Sequence, residues 1–93
     1  MATIISTEVE DKLRDKHQVT PKEVDECLLN MTGRPLKDDR AQHKTNPTTW
    51  WFIAETNHKR LLKVCFMLID GDIHIKSAFE PNLEELRIYK KYG

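Results

Sequence analysis

Three consecutive strand-like runs, joined only by short turns, most strongly constrain how this chain can fold. They cover residues 49–55, 60–69 and 72–79. Each is rich in β-branched or aromatic residues, and the last two are separated by Asp70–Gly71, a pair that favours a two-residue type I′ turn. Consecutive strands with hairpin-length connections predict an antiparallel meander.

Alternation along these runs predicts which side chains share a sheet face. In the second run, large apolar residues alternate with Lys63, Cys65 and Met67. In the third run, DIHIKSAF, alternation assigns one face to Ile73, Ile75 and Phe79 and the other to His74, Lys76 and Ala78.

Helices are predicted on both sides of the meander in sequence. Thr7 with Glu10 has capping-box spacing, and that helix should end near Lys16–His17. Residues 20–33 show a stronger signal, TPKEVDECLLNMTG, with a threonine cap, proline at the first helical position and a terminating glycine. Asn82 with Glu85 starts a final helix.

Together these elements predict a single α+β domain over residues 1–93. The expected architecture is an antiparallel sheet of three to four strands, with two N-terminal helices and one C-terminal helix, the helices on one face. Residues 2–6 are extended, and residues 32–48 form a polar loop that holds an edge strand around Leu36–Arg40 or is functional.

Composition narrows the classes of function. The chain has 15 Lys plus Arg and 15 Asp plus Glu, which argues against a generally basic nucleic-acid coat. The charge is uneven, however: residues 1–31 hold 4 basic and 7 acidic side chains, and residues 32–93 hold 11 and 8. Cys27 and Cys65 belong to no C-x-x-C motif, and no leader or membrane-length apolar run is evident, so a cytoplasmic protein is expected.

Candidate chemistry concentrates in basic and aromatic residues. The histidine and cysteine spacings do not match a metal site, and no nucleophile elbow or glycine-rich phosphate loop is present. A metal-free ribonuclease needs a base, an acid and cations for the phosphorane. We assign catalytic roles to Lys63, His74, Lys76 and Arg87, and RNA binding to Arg40, His43, Trp51, Arg60 and Tyr89.

A simpler interpretation stands beside this one. The lysines could belong to a solvated sheet face, where they discourage edge-to-edge aggregation. Trp50 and Trp51 are adjacent in a strand and must point to opposite faces. One of them is then core, and the other either anchors a partner or covers the far side of the sheet.

At this point the order and spacing of short motifs are similar to those of the BrnT-like toxin family. The motifs are KHQVTPKEVDECL, WWFIAETNHKRLLKVCFMLIDGDIHIKSA and RIYKKYG, spread over residues 14–92. The resemblance implies a RelE-like α+β fold and the toxin of a type II toxin–antitoxin pair. It implies a ribonuclease that inhibits translation without a metal or other cofactor, and a ribbon-helix-helix antitoxin as partner.

Two positions depart from the family pattern. Phe79 stands where the family has the arginine of SAR, and Leu86 where it has the arginine of ER, with Arg87 adjacent. The resemblance also extends to sequences labelled ADP-ribosyl-dinitrogen reductase hydrolase. Enzymes with that activity are much larger and bind magnesium through clustered aspartates, and Asp38–Asp39 is better explained as part of a charged loop.

Three hypotheses follow from these observations. The first is a ribonuclease toxin acting on RNA. The second is a non-catalytic binding or regulatory module of the same fold, which the missing arginines favour. The third is a structural homodimer built by edge-strand pairing through residues 49–55.

Overall fold

The computed structural model describes residues 2–38 and 47–93. Within them, three helices accompany a five-stranded sheet with the strand order β1-β5-β4-β3-β2. The predicted α+β class is confirmed. In chain order the elements are β1 (Thr3–Ile4), α1 (Thr7–His17), α2 (Pro21–Asn30), β2 (Leu36–Lys37), β3 (Thr49–Glu55), β4 (Leu61–Ile69), β5 (Asp72–Phe79) and α3 (Leu83–Tyr92).

The sheet differs from the predicted antiparallel sheet of three to four strands. Strands β2 to β5 are antiparallel neighbours, but β1 joins the far edge in parallel, with Thr3 opposite Ile73. A two-residue strand is too short to show alternation, so its pairing is decided by tertiary contacts. β3 lies between β2 and β4, and Trp50 and Trp51 pair with Lys37 and Leu36. Because β2 already occupies the outer edge of β3 at Trp50 and Trp51, the prediction that two copies pair edge to edge through residues 49–55 is wrong at these two positions.

Local signals at the helix starts are largely confirmed. Thr20 caps α2 and exchanges hydrogen bonds with Glu23, while Pro21 occupies the first turn. Asn82 and Glu85 form the same reciprocal box at α3. These caps depend on neighbouring residues alone, which is why sequence spacing identifies them.

Two predicted helix boundaries are wrong by a few residues. The cap of α1 is Ser6, whose hydroxyl accepts from the Val9 amide, so Thr7 is the first helical residue. Helix α2 ends at Asn30, before Gly33. A Cβ on Gly33 would lie 2.8 Å from the Tyr89 hydroxyl, so this position needs glycine for the close approach of α3.

The helices cover both faces of the sheet, contrary to the predicted single face. Helices α1 and α2 cover the face on which the main core lies, which includes Leu13, Val24, Phe52, Leu62 and Val64, each fully buried. Helix α3 covers the opposite face, where Lys63 meets Glu85 and Trp51 meets Tyr89. We call the second surface the α3 face.

A β-bulge reverses the predicted facing of two residues on β5. Cys65 pairs with Ser77, and the next residue of β4, Phe66, pairs with Ile75, which leaves Lys76 as an extra residue. After the bulge, Ala78 lies opposite Val64 in the core and is fully buried. Phe79 lies on the α3 face opposite Lys63. Strict alternation fails here because one inserted residue shifts the period of two.

The Asp-Gly hairpin is confirmed by its backbone angles. Asp70 has φ 52° and Gly71 has φ 83°, the two positive values that a type I′ turn requires. Within residues 2–38 and 47–93, no helix has the length and apolar character needed to cross a membrane.

Candidate functional site

Lys63 is buried at the centre of the α3 face rather than presented to solvent. Its ammonium lies 2.6 Å from Glu85 and 4.7 Å from the centre of the Trp51 ring. Only 6% of its side chain is exposed. A buried, paired lysine avoids the cost of an unpaired charge, but it has little capacity left to meet a phosphate.

Sequence analysis identified Glu85 as a helix cap but not as the ion-pair partner of Lys63. One carboxylate oxygen accepts from the Asn82 amide at 2.9 Å, and the other binds Lys63. The capping box was visible in the sequence, but the ion pair joins residues 22 positions apart. Helix α3 is thus capped and attached to the sheet by the same carboxylate.

The proposed catalytic residues of β4 and β5 do not gather at one point. His74 pairs with Met67, whereas Lys63 pairs with Phe79. Four residues along β4 separate these two pairs, or about 13 Å at the usual rise of a strand. His74 is half-buried and Lys76, at the bulge, is exposed. The two remain neighbours on β5, while Lys63 lies apart from them.

Arg60, assigned to RNA binding, joins three parts of the fold. Its guanidinium donates to the carbonyls of Gln18 at 2.8 Å and His17 at 2.9 Å, where α1 leads into α2. It also pairs with Glu23 at 3.1 Å and approaches Glu80. These partners engage most of its fork of N–H donors, so its contacts are structural.

We therefore expect Arg60→Ala to lower the free energy of unfolding by about 2 kcal/mol, since charge-assisted hydrogen bonds to two backbone carbonyls and the pairing with Glu23 are lost. Arg60→Lys should recover only part of this, because an ammonium cannot reach two carbonyls and a carboxylate in the fork geometry. Urea unfolding followed by circular dichroism measures both. Equal stability of the alanine variant and the parent would contradict the structural role.

The other assigned residues on or against α3, namely Arg87, Trp51 and Tyr89, also contact other side chains of the fold. Arg87 is exposed and pairs with Glu84 one turn earlier, which raises the pKa of Arg87 through its hydrogen bond to that carboxylate. Trp51 is 8% exposed, with its ring centre 5.7 Å from that of Tyr89. Burial raises the pKa of Tyr89. Trp50 packs against the core on the other face, as adjacent strand residues must.

The cysteines lack the environment of a nucleophile. Burial raises the pKa of Cys27 to about 11, and nearby Glu23 and Glu26 add to the effect. Burial also raises the pKa of Cys65. Both are free thiols. A thiolate is the reactive form, so these thiols are poor nucleophiles near neutral pH.

Two clefts flank α3. One, of about 630 Å³, lies towards β2 and includes Arg34, Lys37, Trp51, Lys63 and Tyr92 in its lining. The other, of about 680 Å³, lies towards the end of α2 and the turn between β3 and β4. Its lining includes Asn30, Asn57, Lys59, Leu86, Tyr89 and Lys90.

Two assigned RNA-binding residues, Arg40 and His43, lie outside the described residues. In the described part of the chain, no three His, Cys, Asp or Glu side chains are grouped so that they could hold a metal ion.

The fold and these contacts define a small α+β domain with helices on both sheet faces and a buried lysine–glutamate pair beneath α3. No model of a known protein family matches the chain, and no curated protein matches it in sequence. The BrnT-like assignment therefore stays a prediction from the motifs.

Proposed function

We propose that this chain is the toxin of a type II toxin–antitoxin pair, a metal-independent ribonuclease that inhibits translation and is neutralised by a ribbon-helix-helix antitoxin. The motif resemblance supports the family. One structural observation supports the chemistry: β5 carries a half-buried imidazole, His74, two residues from an exposed ammonium, Lys76. Within residues 2–38 and 47–93, neither forms an ion pair.

These two residues have the chemistry that RNA cleavage needs. In the proposed reaction, His74 accepts the 2′-hydroxyl proton as the 2′-oxygen attacks phosphorus. Lys76 stabilises the negative charge that develops on the phosphorane, and the leaving 5′-oxygen takes a proton from solvent. Lys63 and Arg60 then support the fold rather than the reaction, because carboxylates already neutralise them.

Growth of a bacterial culture after induction of the chain tests this function, with total RNA resolved on a gel. We expect rapid growth arrest with RNA fragmentation. His74→Ala combined with Lys76→Ala should abolish both effects at equal soluble expression, while Lys22→Ala, an exposed lysine of α2, should change nothing.

Two results would overturn parts of the proposal. RNA cleavage that persists in the double variant would refute the assignment of His74 and Lys76. Normal growth and intact RNA with soluble, folded parent protein would refute the ribonuclease activity itself.

A second candidate is a non-catalytic binding module of the same fold. The observation that favours it is the pairing of three assigned cations, Lys63, Arg60 and Arg87, with carboxylates. Together with Phe79 and Leu86 at the family's arginine positions, this leaves few free cations for a transition state. Such a module would form a stable complex with a partner protein but would not turn over RNA in the assay above.

A further inference from the structure

Four exposed cations line the clefts beside α3 or lie in its last turn: Arg34, Lys59, Lys90 and Lys91. We call them the basic surface. In the part of the chain that the structure describes, none of them forms an ion pair. Lys91 lies 5.4 Å from the centre of the Tyr92 ring, a contact that leaves its charge unneutralised.

Residues from three separate segments form this surface. Arg34 lines the cleft towards β2 together with Tyr92, while Lys59 and Lys90 line the cleft on the other flank of α3. The close approach of Gly33 to Tyr89 and Gly93 holds the first segment against the helix end. A helix dipole accounts for lysines in the last turn of α3, but not for the two cations from other parts of the chain, Arg34 and Lys59.

The acidic side chains that offset the positive charges of the chain lie mostly outside the basic surface. Residues 1–31, with 4 basic and 7 acidic side chains, include α1 and α2 on the opposite sheet face. Within the two clefts, Glu84 pairs with Arg87 and Glu85 with Lys63. The remaining lining carboxylates are Asp38 and Glu55, which leaves the basic surface with an excess of positive charge.

We propose that the basic surface binds the phosphate backbone of single-stranded RNA, with bases entering the flanking clefts. This inference rests on the proposed function and adds to it where the substrate lies. Basic side chains spread over two clefts suit a flexible polyanion, because each phosphate meets a separate charge. Tyr92 is 55% exposed beside this surface and offers an aromatic ring on which a base can stack.

Fluorescence anisotropy with a labelled, 2′-O-methylated RNA 12-mer tests the surface, because blocked 2′-oxygens prevent cleavage. With the full chain, affinity should fall steeply with salt, with a log–log slope of about −3 for about four phosphate contacts. The triple variant Arg34→Gln, Lys59→Gln, Lys90→Gln should bind at least about tenfold more weakly and reduce the slope by about 2. The matched control Lys16→Gln, Lys22→Gln alters exposed lysines of α1 and α2 and should bind like the parent.

Equal losses of RNA affinity in the triple variant and in the control would overturn the inference. So would displacement of the RNA by polyglutamate of the same charge at equal concentration, which would indicate an acidic protein segment as the occupant. The growth assay separates the two proposals. If the triple variant binds RNA more weakly but the parent chain does not arrest growth, the basic surface is supported and the ribonuclease activity is refuted. Arrest with unchanged RNA binding in the triple variant refutes only the surface.

Discussion

Glu85→Gln is expected to lower the free energy of unfolding by about 3 kcal/mol. The substitution keeps the shape of the side chain and its suitability for a capping box. It leaves only one acceptor oxygen, however, for two donors, the Asn82 amide and the Lys63 ammonium. Because 6% of the Lys63 side chain is exposed, its charge would be buried without a counter-charge. Urea unfolding followed by circular dichroism gives the change directly.

The double variant Lys63→Met, Glu85→Gln is the matched control. Methionine fills a similar volume against Trp51 and Phe79 and needs no counter-charge. We expect the double variant to recover most of the lost stability, since replacing both members of a buried pair is often neutral. A double variant as unstable as Glu85→Gln alone would show that the loss comes from the helix cap rather than from the buried charge.

Ala78→Asp is expected to lower stability by about 5 kcal/mol or to prevent folding, because it places a carboxylate in the core without a partner. Ala78 is fully buried opposite Val64. Thermal unfolding followed by circular dichroism measures the loss. Ala78→Leu provides a milder variant that should still fold, at a cost of about 2 kcal/mol from overpacking.

Comparing Ala78→Asp with Lys76→Asp tests whether the β-bulge exists. Alternation in the sequence places residues 76 and 78 on the same polar face, whereas the structure exposes Lys76 and buries Ala78. We expect Lys76→Asp to change stability by less than about 0.5 kcal/mol, as exposed substitutions usually do. Similar melting temperatures for the two aspartate variants would mean that the strand alternates regularly and that the bulge is wrong.

Much of the fold was predictable because its signals are local. The boxes at Thr20 and Asn82 depend on residues three positions apart, and the Asp70–Gly71 turn depends on two positive φ angles that these residues tolerate. The apolar face of β4 follows from period-two alternation. The same reasoning failed at β5, since a bulge adds one residue and leaves no sequence signal that alternation alone would recognise.

The candidate site was less predictable because its properties depend on distant partners. Sequence identified Lys63 and Arg60 as cations, but could not show that Glu85 and Glu23 neutralise them. Conversely, no sequence pattern marked Arg34 and Lys59 as site residues, because only the folded chain places them in the clefts beside the α3 lysines.

The sequence by itself determined the α+β class, the order of the elements, the caps of α2 and α3 and the hairpin, since each depends on backbone preferences over a few residues. Tertiary structure alone decided the parallel pairing of β1, the placement of α3 on the second face, and which cations are neutralised. The physical reason is distance along the chain: Coulombic pairing and burial depend on separation in space, which local sequence patterns do not encode.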